Sequence, residues 1–258
     1  MTDRAIEHYD KHYDRGTGYR DSKVLSLAEL ARDRARRWLN RVSKDAHILD
    51  YGCADGYMLW VLHTLGYRNL VGMDVSEPML RHARDRLMRT DVELRRVEPT
   101  SSAAFAGRFD LVLIHHVLEH IPRDDVIPAL EHLRTLMKPG GLISVAVPNA
   151  SSLLGIVTHA GDFTHRILYN EHSLRQVLEL SGFEDSEVVL HPPKLHFSAT
   201  RPVKMTARLL GYAQYRLNNA LHRVIHTLGD QRPPSSCFER SIEILAYRPN
   251  GQDSLESP

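Results

Sequence analysis

Ile48-Leu49-Asp50-Tyr51-Gly52-Cys53-Ala54-Asp55-Gly56-Tyr57 is the stretch whose reading decides the fold. A short strand-like run over 47–49 meets an acidic residue, then a loop of small residues. Tyr57-Met58-Leu59-Trp60-Val61-Leu62 follows and reads as a helix. Strand, tight loop and helix in that order are what a doubly wound sheet uses to hold a nucleotide-like cofactor at the carboxyl end of its first strand. Small residues let the backbone approach a ligand, and the unbonded amides that open the next helix face it. By itself the Gly-x-Ala-x-Gly spacing fits an ordinary strand-to-helix turn as well.

Asn69-Leu70-Val71-Gly72-Met73-Asp74 reads as a second strand ending in a carboxylate, 24 positions after Asp50. That is close to the ~20-residue offset at which an acid reaches ribose hydroxyls. Taken as an ordered set, Asp50-x-Gly52-x-Ala54-x-Gly56, Asp74-Val75-Ser76, Phe109-Asp110-Leu111-Val112, Leu118-Glu119-His120 and Leu136-x-Lys138-Pro139-Gly140-Gly141 resemble the class I S-adenosylmethionine (SAM) methyltransferases. The small-molecule, ubiquinone-methyltransferase-like branch is the nearest in pattern. The resemblance covers residues 46–190 and departs from the family at Ala54, where glycine is common. It implies SAM as cofactor, held by Asp50, Gly52, Cys53, Ala54, Gly56, Asp74, Val75, Glu98 and His115. Within that set it implies that Asp74 accepts from both ribose hydroxyls and that the methionine moiety lies against Gly52 and Gly56. Asp50 acts through water or the SAM ammonium, and Glu98 meets the adenine amine, although Glu98-Pro99 departs from the usual pattern. Asp55 is either part of the loop's chemistry or a simple helix cap.

The chain has 258 residues, 42% hydrophobic and 25% charged, with a formal net charge of +1. That is globular composition, long enough for one well-cored domain with an appendage. Near-neutral charge gives no global case for nucleic acid, and none is expected as a partner. Cys53 and Cys237 lie far apart without metal-ligand spacing, so no disulfide framework is expected and an intracellular setting fits. The first residues are charged and lack a signal peptide's apolar core, and no apolar run approaches the ~20 residues that span a bilayer. The expectation is a soluble, cytoplasmic protein with no metal site.

Taken in order, residues 1–42 read as an N-terminal cap and packing helix. Tyr9, His12, Tyr13 and Tyr19 sit among charges in a stretch that is either a loose terminus or, as the resemblance implies, a cap over the cofactor. Over 24–42 the apolar residues recur at helical spacing with arginines opposite, a solvated face rather than a nucleic-acid stripe. Residues 43–190 form the SAM-binding core. Gly66 stops the first helix, and Ser76 caps the next with Pro78 in its first turn. Strands are expected over 92–97, 109–115, 142–147, 184–190 and 241–247, and helices over 124–137 and 173–180. Alternation of strand and helix predicts a mostly parallel, seven-stranded, Rossmann-like α/β sheet with right-handed crossovers. The resemblance adds an antiparallel strand at its edge. The long connection 148–170 is functional or mobile.

Residues 191–237 interrupt the family's minimal layout as a basic helical insertion, before the last core strand at 238–250 and a disordered tail at 251–258. No acidic residue occurs between Glu187 and Asp230, yet Lys194, Arg201, Lys204, Arg208, Arg216 and Arg223 do. An apolar stripe runs through the same segment. It suits a structural lid, an anionic acceptor, or contact through 203–228 with a membrane surface or a second copy.

An alcohol acceptor needs a base, and histidine suits that at neutral pH. His115 and His116 end the fourth strand, and His165 lies in the 148–170 connection in a segment that resembles the family's acceptor-side loop. His116 and His165 are the catalytic candidates. His116-Val117-Leu118-Glu119-His120 also matches a zinc-peptidase pattern, but no third ligand is identifiable and the surrounding frame is a nucleotide fold. The leading function is SAM-dependent O-methylation of a small-molecule or glycan-type hydroxyl, including a nucleotide- or lipid-linked sugar. N-methylation, methylation of a quinone-like phenol, a non-catalytic SAM-binding module and an NAD-linked oxidoreductase are the alternatives. The last lacks the Gly-x-Gly-x-x-Gly spacing that accommodates a pyrophosphate.

Overall fold

A computed structural model describes residues 35, 38–88, 90–97, 105–189 and 239–250, with scattered helical positions between 212 and 228. Glu98, most of 1–42, most of the insertion 191–237 and the tail 251–258 lie outside the described residues. The strands are β1 (Ile48–Tyr51), β2 (Leu70–Asp74), β3 (Glu93–Arg96), β4 (Phe109–His115), β5 (Met137–Pro148), β6 (Glu184–Val189) and β7 (Ser241–Tyr247). They form one sheet in the order β3-β2-β1-β4-β5-β7-β6. Every pairing from β3 through β5 is parallel, and β7 runs antiparallel to both β5 and β6. The antiparallel strand therefore lies one place in from the edge, with β6 outside it.

Alternation along the strands builds a core on each face. Leu49, Val112, Ile143 and Val145 turn to one side, where they meet Leu130 and Leu133 of α3 (Val126–Leu136) and Leu174 and Leu178 of α5 (Glu171–Leu180). Ile48, Leu111, Leu113 and Leu142 turn to the other, against Leu59 and Leu62 of α1 (Tyr57–Thr64) and Leu80 of α2 (Glu77–Leu87). A strand with apolar residues on both faces needs helices on both sides, which is why these runs read as continuous rather than alternating. Ala35 and Trp38, in helical conformation, are fully buried on the second face. The described end of the expected 24–42 helix thus packs on the sheet.

Local signals set most helix starts. The Ser76 hydroxyl accepts from the Met79 amide at 3.2 Å, with proline inside the first turn. Asn170 and Ser173 cap α5 reciprocally, so it begins at Glu171. Pro128 sits in the first turn of α3, behind a short 3-10 turn at Arg123–Asp125. Two expectations differ. β5 starts at Met137, and Lys138-Pro139-Gly140-Gly141 lies within an irregular strand, Gly140 taking φ 72, rather than forming a separate turn. The 148–170 connection holds a helix, α4 (Leu153–Ala160), whose pattern is inverted. Its buried residue is Gly155, while Leu153, Leu154, Ile156 and Val157 face outward. A β-carbon at Gly155 would come within 2.0 Å of the Asn149 carbonyl oxygen, so a close backbone approach rather than an apolar face seats this helix. Among the described residues no helix is long and apolar enough to cross a membrane.

Candidate cofactor and acceptor site

β2 delivers Asp74 to the carboxyl end of the sheet, and the loop after β1 folds onto it. The Ala54 amide donates to Asp74 Oδ2 and the Ser76 amide to Oδ1, both at 2.8 Å. The Gly52 and Cys53 amides donate to the Met73 carbonyl at 2.7 and 3.0 Å. Two amides use one acceptor position on each oxygen of a carboxylate, which offers about four in all. The loop requires left-handed backbone at Gly52 (φ 83), Ala54 (φ 45) and Gly56 (φ 73). At Ala54 this costs ~1–2 kcal/mol, held in place by the bond to Asp74.

The missing side chains at the two glycines make room for protein neighbours. A β-carbon at Gly52 would lie 2.1 Å from Val117 Cγ2, and one at Gly56 would lie 3.0 Å from both Ala83 Cβ and Leu87 Cδ1 of α2. Cys53 is buried in the core. Asp55 is not the N-cap of α1, which is Gly56 and makes no side-chain cap. Asp55 pairs instead with Arg86 of α2.

Above the loop opens a cavity of about 270 Å³. Tyr51, Gly52, Asp74, Val75 and Val97 form one wall, and His116, Val117, His120, Ile121, Pro122, Asp125 and Ala129 form the other. Four expected residues, Gly52, Asp74, Val75 and His116, meet there. Asp50 lies buried outside the lining, and burial, followed by the neighbouring Asp74 and Asp55, pushes its carboxyl up to about 7. His115 does not line the cavity. Its Nε2 is 2.8 Å from Ser144 Oγ, and Trp38 meets its ring edge-on at 6.4 Å between centroids. Ser144 in turn donates to Glu243 Oε1 at 2.6 Å. His116, by contrast, lies past the end of β4 with φ 57, outside the strand's alternation, and lines the cavity. Tyr51, Val97 and the 117–129 wall were missed by sequence reasoning. Their only signal was position, at or just past the carboxyl ends of β1, β3 and β4.

The histidines converge on one carboxylate. His116 takes φ 57 just past β4, and its Nδ1 lies 3.3 Å from Glu119 Oε1. Glu119 has no exposed surface, and its Oε2 has no hydrogen-bond partner among the described residues. His165 Nε2 stands 3.8 Å from the same Oε1, while its Nδ1 donates to the His159 carbonyl at 2.9 Å. The Thr164 hydroxyl donates to Asp162 at 2.6 Å, so it must accept from His120 Nδ1 at 2.8 Å. Burial holds the His120 imidazole below its usual range. His165 is off the cavity wall, so of the two catalytic candidates His116 alone lines it. The donor atoms of Glu119, His120 and His165 lie within 4.8 Å of one another, a different set from the His116/His120 pair picked out in the sequence.

A mostly parallel seven-stranded sheet with β7 reversed between β5 and β6, a bent small-residue loop after β1 and a buried acid ending β2 together fit a class I SAM-dependent methyltransferase. A family model described as a methyltransferase domain matches residues 27–188, and the chain belongs to that family. The oxidoreductase reading falls with that membership. The ubiquinone biosynthesis O-methyltransferase of Cronobacter sakazakii is 31% identical over 153 residues, 57% of each chain. That of Colwellia psychrerythraea is 33% identical over 110 residues, 42% of this chain and 44% of the relative. The chain thus spans about half the length of these curated relatives. A SAM-dependent methyltransferase from Archaeoglobus fulgidus superposes with a TM-score of 0.59 at 20% identity, covering 86% of this chain and 94% of that one. A Thermotoga maritima methyltransferase described as a possible histamine N-methyltransferase gives 0.59 at 17% identity, covering 95% and 98%. These two show the fold. SAM is the cofactor, and the donor set fits it. A diol and two cationic centres call for carboxylates, and Asp74 and Asp50 stand at and beneath the cavity wall.

Proposed function

We propose that the chain methylates a hydroxyl of a small molecule, with His116 taking the hydroxyl proton. SAM, when bound, supplies an electrophilic methyl group on a sulfonium. The protein's work is to hold the donor, align the acceptor oxygen and move one proton. Alignment alone can account for ~7–11 kcal/mol of a bimolecular barrier. Asp74 takes the ribose hydroxyls and Asp50 the cationic end, while Val75 and Val97 flank the adenine. One observation carries the reading. The ring of His116 lines the cavity that contains Asp74, and a fully buried Glu119 stands behind its Nδ1. With the Nδ1 proton directed at that carboxylate, Nε2 is the nitrogen that accepts from substrate.

The lining favours a phenol-like acceptor. Val117, Ile121, Pro122 and Ala129 offer apolar surface to a flat ring, and the relatives are named for ubiquinone biosynthesis. A glycan-type hydroxyl finds support only in the basic insertion. A buried free thiol at Cys53 suits the reducing cytoplasm, where we place the protein. Methyl transfer from radiolabelled SAM to catechols, hydroxybenzoates, nucleotide sugars and amines tests the reading. Label on phenols that is lost in His116→Asn supports it. Label on amines that survives this substitution refutes the base. SAM retention without transfer to any acceptor leaves a binding module.

A further inference from the structure

The described helical residues between 212 and 228 have no role in the site above. Leu217, Leu221, Val224, Ile225 and Leu228 are all exposed there. At 100° per residue they fall within a single arc about 100° wide. Arg216 and Arg223, seven positions apart and both exposed, fall about 140° from the middle of that arc, on the other side of the helix. An exposed apolar stripe backed by a cationic face is the arrangement of a helix that lies in a lipid interface.

Charge chooses the occupant. Between Glu187 and Asp230 the chain has six lysines and arginines and no acid. A two-fold dimer through this stripe would bring together two segments that each carry six cations and no carboxylate to offset them. An anionic bilayer meets both features at once. We propose that this helix docks the protein on a bilayer containing acidic lipids, with the stripe at the acyl boundary and the arginines among the headgroups.

The strands on either side of the insertion, β6 and β7, meet it at the cavity's end of the sheet. β7 resumes with Ser241 paired to Pro148, the last residue of β5, and the Asn149 amide donates to the Arg240 carbonyl at 2.9 Å.

Flotation of the full chain with phosphatidylcholine vesicles, with and without phosphatidylglycerol, is the test. Binding is expected only to the anionic vesicles and is expected to weaken in high salt. Arg216→Gln and Arg223→Gln should each weaken it about fivefold, and Leu221→Glu with Ile225→Glu should abolish it. SAM affinity by calorimetry and methyl transfer to a water-soluble acceptor should stay as in wild type, which separates failure here from failure of the proposed reaction. Equal binding to both vesicle types, or full binding by the double arginine variant, would overturn the proposal. So would a dimer seen by light scattering that dissociates in the leucine-isoleucine variant while vesicles are ignored. If that variant misfolds, the exposed arginine pair decides the matter.

Discussion

Val117 occupies the volume that a side chain at residue 52 would need, with its Cγ2 only 2.1 Å from the position of a β-carbon on Gly52. The loop after β1 and the loop after β4 are therefore interlocked beneath the cavity. Gly52→Ala meets two penalties, left-handed backbone worth ~1–2 kcal/mol and overpacking worth ~1–3 kcal/mol. Chemical denaturation should show a loss of about 2–5 kcal/mol, the sum of the two. Adding Val117→Ala should recover the steric part and leave the strain. A Gly52→Ala protein as stable as wild type would show that the interlock is absent.

Asp74 holds the Ala54 and Ser76 amides while standing in the cavity wall. Asp74→Asn replaces one acceptor oxygen with an NH₂ group that faces a donor. Charge-assisted hydrogen bonds of this kind contribute ~1.5–3 kcal/mol each, so SAM affinity should fall about 10- to 100-fold in calorimetry. Unchanged affinity would remove Asp74 from the cofactor's contacts.

Asp50 links folding to pH. Its carboxyl is raised from 3.8 to about 7 by burial and then by Asp74 and Asp55. Because the folded state keeps this proton longer than the unfolded chain, the stability present in acid is lost as pH rises from about 4 to about 7. A difference of about 3 units sets an upper bound of ~4 kcal/mol. Asp50→Asn should thus be more stable than wild type at pH 8 and nearly equal to it at pH 4 in urea melts. If Asp50 faces the cationic end of SAM, wild-type affinity should climb with pH up to about 7 and level off, whereas the variant should bind weakly at every pH.

His116 separates chemistry from folding. At φ 57, His116→Gly should match or exceed wild-type stability, because glycine adopts this backbone without strain. Loss of a general base should lower kcat on a hydroxyl acceptor by about 10²- to 10⁴-fold while SAM affinity holds. His165→Asn, off the cavity wall, should cost far less. The reverse order of effects, read from single-turnover rates, would move the base to His165.

The sequence alone determined the order of strands and helices, the bent loop at residues 52–56, the spacing of Asp50 and Asp74 and the Ser76 cap. Each is written within a few neighbouring residues, as an apolar run, a small side chain or a side chain able to cap. Even the two-faced burial of β4 is legible, because a central strand must be apolar throughout. Only the tertiary structure decided that His116 enters the cavity while His115 turns to Ser144, since the left-handed backbone of His116 just past β4 is not written in the residue pattern. The same holds for α4, seated by a close approach to Gly155 rather than by an apolar face, and for the two glycines filled by Val117, Ala83 and Leu87. It holds too for the meeting of His116 and His165 at Glu119. Such contacts join residues far apart in the chain, and their geometry exists only once the loops beyond the strand ends have packed against one another.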